Sequence, residues 1–397
     1  MTEQIGQTIQ HQTYPQLFLR FLRFGFLAWG GPVAQIAMIR QELVEQEKWI
    51  TSERFNRVLA VYQALPGPEA HELCVYFGMI ARGRRGAFLA GLGFMLPGFL
   101  LMLGLSWFYV TFGINSPVFQ SIFLGMQPAV AALIVRAVHR IGGHALHKDK
   151  WLWGIALAAA FAQSLEVNFL ITLVIAGLIY ALAQRGRSWF AFGIGSAFVL
   201  LIFYLGLYGD EAGFMEFQSI ASGHPTLLSL FLSGLRAGLL TFGGAYTAIP
   251  FIQQDAVSMG RWMTNAQFLD GLALSGLLPA PLIIFSTFVG YIGGGMAGAI
   301  LMTLGVFAPA FSFTMIGHDY LEKLVENRSA HSFLDGVTAG VVGLIAVTTL
   351  GILTETITGL NAWIIFGPAL AVLFLSNSKW TVALVVLSAG LLGLFFL

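Results

Sequence analysis

The chain has 397 residues, of which 57% are hydrophobic and 10% are charged, and its formal net charge is +1. A soluble domain carries about 25% charged residues, so this chain cannot cover a water-exposed surface and lipid must be its main solvent. The near-neutral charge gives no reason to expect a nucleic-acid partner. The single cysteine, Cys74, excludes an internal disulfide framework and a multi-cysteine metal site.

Apolar segments follow one another along the chain, and a spanning helix needs roughly 20 mostly apolar residues. Residues 1–15 are polar and do not form a signal peptide. The candidate spans lie at 17–39, 56–80, 86–110, 118–137, 151–165, 167–184 and 189–208, then at 226–252, 266–291, 296–317, 333–353, 361–376 and 380–397. We therefore predict an all-α polytopic membrane protein with about 12–13 transmembrane helices.

Basic residues predict the orientation, because cytoplasmic loops carry an excess of Lys and Arg. With a cytoplasmic N-terminus, most basic loops fall inside, and the outside loops 111–117 and 209–225 contain no Lys or Arg. One loop disagrees: the segment with Arg40, Lys48 and Arg54 would lie outside. The basic loop after residue 137, which also contains three histidines, is interpreted as a topology signal rather than a metal site.

The two halves of the chain match each other when the sequence is shifted by 213 residues. The match runs without a gap from Leu22 to Pro68 and pairs Arg23 with Arg236 and Trp49 with Trp262. We predict a first repeat at 1–188, a linker helix and loop at 189–225, and a second repeat at 226–397. Seven spans precede the second repeat, and an odd number inverts it, as in many transporters; the alternative is a parallel repeat, if 189–208 does not cross.

The motifs of both halves resemble the chromate ion transporter (CHR) family in its long-chain, two-domain form. They are Phe24-Gly25-Phe26, Gly30-Gly31-Pro32, Trp49 and Ala64-Leu65-Pro66-Gly67-Pro68, then Thr241-Phe242-Gly243-Gly244 and Leu278-Pro279-Ala280-Pro281. The resemblance implies a multi-pass carrier in the bacterial inner membrane that exports chromate and confers chromate resistance. Some relatives handle other anions, so the family is better defined than the substrate.

Helix-breaking residues recur inside or beside the apolar segments of both halves. Proline removes a backbone donor, and irregular backbone at membrane depth persists only inside protein or beside a wet cavity. Broken helices also present N-termini whose N–H groups attract anions. We therefore predict substrate-binding backbone at Gly30, Gly31, Pro32, Pro66, Gly67, Pro68, Gly243, Gly244, Pro279 and Pro281; the alternative is a structural kink or tight helix packing.

Arg23 and Arg236 occupy equivalent positions, seven residues before the paired glycines of each half. An arginine inside a membrane is costly and usually marks function, and a guanidinium can hold an oxyanion through two parallel N–H bonds. We predict that both contact substrate, the alternative being extension of the side chain to the lipid headgroups.

Three titratable residues follow the first Pro-Gly-Pro motif: Glu69, His71 and Glu72. The second half has apolar residues at these positions, so this asymmetry favours a proton-coupling site. The alternative is acidic stabilisation of a helix N-terminus. Gln63, Gln35 and Tyr246 are further candidates for hydrogen bonds to substrate, although helix packing is the commoner role of such residues.

Other predictions concern helix ends and function class. Glu42 and Asp255 match between the halves and are expected to form ion pairs, and Thr51 and Thr264 to cap helices. P-loop, hydrolase and zinc-protease motifs are absent, so we predict no enzyme activity, cofactor or metal. The alternatives are an intramembrane enzyme acting on a lipid or isoprenoid phosphate, and a carrier or channel for another anion such as sulfate. The sequence is compatible with a homo-oligomer.

Overall fold

The computed structural model describes residues 12–113, 116–146, 149–165, 167–208, 225–242, 244–326, 328–376 and 378–396. The α-helices of the first half are α1 Tyr14–Phe26, α2 Gly31–Ile39, α3 Ser52–Ala64, α4 Glu69–Phe108, α5 Pro117–Ala145, α6 Lys150–Ser164, α7 Phe169–Gln184 and α8 Ser188–Tyr208. Those of the second half are α9 Leu227–Leu239, α10 Ile249–Gln253, α11 Asn265–Gly276, α12 Phe285–Glu326, α13 Arg328–Thr356, α14 Leu360–Leu375 and α15 Thr381–Phe396. The predicted all-α class is confirmed.

Four helical stretches in the described part of the chain are long and apolar enough to cross a membrane. They are Glu69–Gly113, Pro117–Ala145, Leu282–Gly317 and Ala330–Thr356. Shorter apolar helices accompany them, including α7, α9, α14 and α15. Because these elements contain few charges and expose many apolar side chains, a bilayer is the solvent that suits them.

Threonine caps start the first and third helices of each half. Thr51 accepts a hydrogen bond from the Arg54 N–H at 3.2 Å, and Thr264 forms a capping box with Gln267. Both predicted caps are confirmed. Thr13 and Thr226, which are also 213 residues apart, cap α1 and α9 in the same way. The side-chain oxygen satisfies an N–H group that the helix itself leaves unpaired.

Both α4 and α12 reverse direction at a glycine. Arg82 and Gly83 in α4, and Gly294 and Gly295 in α12, leave the helical conformation, and Gly83 and Gly295 have φ near +60°. The residues on either side of the reversal then pack backbone to backbone: the Gly78 Cα faces the Gly86 carbonyl. Each of these helices is therefore a short arm followed by a long antiparallel arm, and only glycine takes this turn readily.

The reversal corrects the predicted path of the first two spans. Arg82 Nε donates to the Gln12 carbonyl, Arg54 Nε donates to the Tyr76 hydroxyl at 3.0 Å, and the Trp49 ring lies 6.0 Å from that of Phe77. The basic segment at 40–57 therefore lies at the same end of the bundle as Gln12. The expectation that 17–39 crosses as one helix is wrong, because α1 and α2 are separate helices that form a returning hairpin.

The orientation of α13 shows that the repeats are inverted. Tyr180, near the end of α7, donates to Asp149 at the start of α6, so α5 and α7 run in the same direction. Along α13, Gly336 faces Ala176 and Tyr180, whereas Gly340 faces Leu173. α13 is therefore antiparallel to α7 and to its own counterpart α5, as predicted for an inverted repeat.

Glycines bring the first helix of each half against the long arm that follows it. A Cβ on Gly93 of α4 would lie 2.8 Å from the Phe18 carbonyl of α1. A Cβ on its counterpart Gly305 of α12 would lie even closer to the Phe231 carbonyl of α9. Small residues allow such close helix packing in membranes, and the two long arms then pack on each other through Phe88 and Phe311.

Candidate functional site

Each predicted interruption is a break between two helices. Residues 27–30 separate α1 from α2, and residues 65–68 separate α3 from α4. In the second half, residues 240–244 precede the 3₁₀ turn Ala245–Ala248, and residues 277–281 precede the 3₁₀ turn Leu282–Ile284. Gly243, one of the predicted site residues, lies outside the described residues. The breaks follow from the Gly and Pro residues that the sequence has there.

Three of the four breaks meet in one place, which we call the junction. The Gly67 N–H of the first half donates to the Thr241 carbonyl of the second half at 2.8 Å. The turn Ala245–Ala248 packs against Leu282–Ile284, and Ala280 packs against Gly98 of α4. The predicted prolines Pro66, Pro68, Pro279 and Pro281, together with Gly244, are all buried here. The junction thus joins the breaks of both halves across the inverted repeat.

The remaining break lies apart from the junction. The Gly30 backbone packs against Lys379, and the Trp29 ring lies 4.7 Å from that of Trp380. Gly30 is exposed, whereas Gly31 and Pro32 are half-buried. Gln35 donates to the Ala28 carbonyl at 2.9 Å and so holds this break from within.

The two equivalent arginines form equivalent ion pairs. Arg23 pairs with Glu42, and Arg236 pairs with Asp255, as expected for these matched acids. The Arg23 side chain is 55% exposed, whereas that of Arg236 is 17% exposed and lies over the Phe169 ring. Either guanidinium must release its carboxylate before it can hold an oxyanion.

Two arginines of α5 lie beside the junction. Arg136 and Arg140 are within electrostatic range of the Tyr246 hydroxyl, and Arg140 is within range of the Glu69 carboxyl. Arg136 is half-buried and makes a long, 3.4 Å contact with the Ser376 carbonyl. From the sequence pattern, both are expected only to be charges of a cytoplasmic loop. Their four-residue spacing, which puts them on one face of a helix, was the available indication.

The acidic side of the junction is made by residues that follow Pro68. Gln63 lies beside Glu69 and is exposed, whereas Glu69 and Tyr246 are half-buried. The Glu72 carboxyl group is fully buried, has no hydrogen-bond partner among the described residues, and lies directly against Gly67. His71 is also buried, with its ring among those of Phe94, Phe307 and Phe311 at 6.4, 4.9 and 4.8 Å.

The junction is suited chemically to an anion with several oxygen atoms. The N-termini of α4 and of the Ala245–Ala248 turn supply backbone N–H groups, and Arg136 and Arg140 supply positive charge. Glu69 is a carboxyl group within electrostatic range of Arg140. In the described ranges, no group of three or more His, Cys, Asp or Glu residues is arranged to hold a metal ion.

Comparison with known proteins shows to which family the chain is related. The sequence model of the family described as "Chromate transporter" matches residues 15–182 and 228–394. The chain is 55% identical to a chromate transport protein of Pseudomonas aeruginosa, over 96% of this chain and 92% of that protein. It is 30% identical to a chromate transport protein of Cupriavidus metallidurans, over 96% and 93%. A probable chromate transport protein of Synechococcus elongatus is 26% identical, over 96% and 95%.

No solved structure matches the chain. The family match covers both halves, and the relatives are similar along nearly their whole length, so the two-domain form is shared with them. The chain therefore belongs to the chromate transporter family, as a long, two-domain member.

Proposed function

We propose that the protein exports chromate from the cytoplasm by alternating access and so confers chromate resistance. The observation that carries the proposal is the direct hydrogen bond between Gly67 and Thr241, which joins the helix breaks of the two inverted halves. The names of the relatives from P. aeruginosa and C. metallidurans support chromate as the substrate. Inverted-repeat carriers bind substrate at the interface of their repeats.

The proposed binding site is the junction together with α5. Backbone N–H groups at the breaks and the guanidinium groups of Arg136 and Arg140 would replace the water that the oxyanion loses. Tyr246 and Gln63 would donate further hydrogen bonds from the partly exposed side of the junction. Arg23 and Arg236 remain candidates for contact during the movement, when their ion pairs can exchange a carboxylate for the substrate.

The export step has an obvious driving force. Moving a dianion out of a negative interior releases about 4.6 kcal/mol per 100 mV, twice the value for a single charge. Glu69, His71 and Glu72 are proposed as proton-coupling groups, because they lie at the junction and the second half has apolar residues in their place. We also propose an inner-membrane location with the N-terminus in the cytoplasm, where the basic segment at 40–57 joins the other basic loops.

Uptake of radiolabelled chromate into everted membrane vesicles tests the function. Vesicles from cells that produce the protein should accumulate chromate when energised, with saturable kinetics, counterflow and competition by sulfate. A passive channel would give flux without counterflow, and a lipid-phosphate enzyme would give no uptake. Either result would contradict the proposal.

A further inference from the structure

Another buried acid lies away from the junction, between the two halves. Asp270 of α11 is 5% exposed and accepts two hydrogen bonds from the first half. The Tyr109 hydroxyl donates to Oδ2 at 2.7 Å, and the Gln127 amide donates to Oδ1 at 3.0 Å. Tyr109 belongs to the π-helical segment Tyr109–Gly113 that ends the long arm of α4, and Gln127 lies within α5. π-Helical turns inside or beside α-helices often mark functional sites.

The repeat itself does not require this acid. The position equivalent to Asp270 in the first half is Arg57, which is exposed on α3. The same helical hairpin therefore forms in the first half with a surface cation at this place. Since a buried ionisable group within a membrane protein is costly and usually functional, its occurrence in one half alone indicates a role that the fold does not explain.

The surroundings of Asp270 tolerate both forms of a carboxyl group. Two donors point at its oxygens and favour the ionised form, whereas burial beside the rings around Tyr109 favours the neutral form. The elements packed against α11 are α4, α5, α12, α15 and the turn Leu282–Ile284. Of the described residues in these elements and in the Tyr109–Gly113 segment, Tyr109 is the titratable group that contacts Asp270.

The two hydrogen bonds also depend on the relative position of the halves. Both donors come from the first half and the acceptor from the second, so a movement of one half against the other removes both together. A carboxylate that loses its donors in a low-dielectric interior must gain a proton or another partner. The geometry thus connects the conformation of the protein to the charge of this group.

We propose that Asp270 binds and releases a proton during the transport cycle, with Tyr109 and Gln127 as the groups that hold its ionised form. In one conformation the carboxylate accepts the two hydrogen bonds. In the other it takes up one proton and becomes the neutral acid, which returns the proton when the halves close again. This inference rests on the proposed chromate transport, and it adds a titratable group that is distinct from Glu69, His71 and Glu72.

The first test uses purified protein in proteoliposomes with the membrane potential clamped at zero by potassium and valinomycin. Initial chromate uptake by the wild type should differ severalfold between pH gradients of opposite sign. Asp270→Asn, which keeps the side-chain volume and one acceptor oxygen, should give equal rates for both gradients while retaining chromate–chromate exchange. Glu53→Gln, a change of an exposed acid on α3, is the matched control and should respond as the wild type does. A gradient response that survives in Asp270→Asn would overturn the proposal.

The second test needs no transport. Infrared difference spectra recorded against pH should contain a carboxyl protonation band that Asp270→Asn removes and Glu53→Gln leaves. Tyr109→Phe should move the midpoint of that band to higher pH by roughly one to two units, since it removes one hydrogen bond to the charged carboxylate. Identical spectra for the wild type and Asp270→Asn would refute the inference even if the variant did not transport. Absence of chromate exchange in the wild type would instead refute the proposed function.

Discussion

Replacing Gly67 by alanine perturbs the contact that joins the two halves. Gly67 has φ +154°, and a Cβ there would lie 2.8 Å from Oε1 and 2.9 Å from Cδ of Glu72. The unfavourable backbone conformation costs about 1–2 kcal/mol. Overpacking against the fully buried Glu72 carboxyl group adds roughly 1–3 kcal/mol. We therefore expect Gly67→Ala to destabilise the protein by about 2–5 kcal/mol in total.

Gly31→Ala is the matched control, since Gly31 also has a positive φ, +79°, but nothing lies within 4 Å of an added Cβ. Its expected cost is the backbone part alone, about 1–2 kcal/mol. Thermal unfolding of the purified variants should rank Gly67→Ala below Gly31→Ala, and chromate uptake in vesicles should fall more in the first. In a double-mutant cycle, the packing part of the free-energy cost of Gly67→Ala should disappear when Glu72 is also replaced by alanine. Equal effects of the two glycine changes, or no coupling to Glu72, would refute this reading of the junction.

Three further predictions follow from the same contacts. Arg140→Gln should raise the KM for chromate uptake by roughly tenfold or more, because a hydrogen bond to a charged group contributes about 1.5–3 kcal/mol. The control Arg84→Gln, at the exposed end of the bundle, should leave the KM unchanged. Asp255→Ala leaves a buried guanidinium without its partner and should destabilise the protein by about 3–5 kcal/mol. Glu42→Ala breaks the more exposed pair and should cost only about 0–1 kcal/mol. Equal shifts in the thermal unfolding temperature would contradict the difference in burial. Glu53→Cys should react with a membrane-impermeant maleimide from the same side of the membrane as Arg84→Cys. The native Cys74 is buried and should not react. Labelling of the two introduced cysteines from opposite sides would disprove the returning hairpin.

Local sequence patterns predicted the features that depend on a few neighbouring residues. The Gly and Pro motifs predicted all four helix breaks, because each such residue changes its own backbone. Thr51 and Thr264 predicted helix starts for the same reason. The 213-residue match also predicted equivalent roles for Glu42 and Asp255, and the structure gives both an arginine partner.

Features that depend on distant packing were not predictable in this way. The apolar segment 17–39 is long enough to span, and only its contacts with the arm before Arg82 show that the chain returns. The four-residue spacing of Arg136 and Arg140 indicates a shared helix face, but it does not indicate that α5 passes the junction. Asp270 lies in the middle of α11, and its two hydrogen-bond donors are 161 and 143 residues away in the chain.

The central claim is that chromate binds where the breaks of the two halves meet. The most direct measurement is the position of chromium in the protein with chromate bound, from the anomalous scattering of the metal in crystals grown in lipid. The account predicts chromium at the junction, within contact distance of the Gly67 backbone, Tyr246 and the α5 arginines. Chromium beside Arg23 or Gly30, outside the junction, would contradict it.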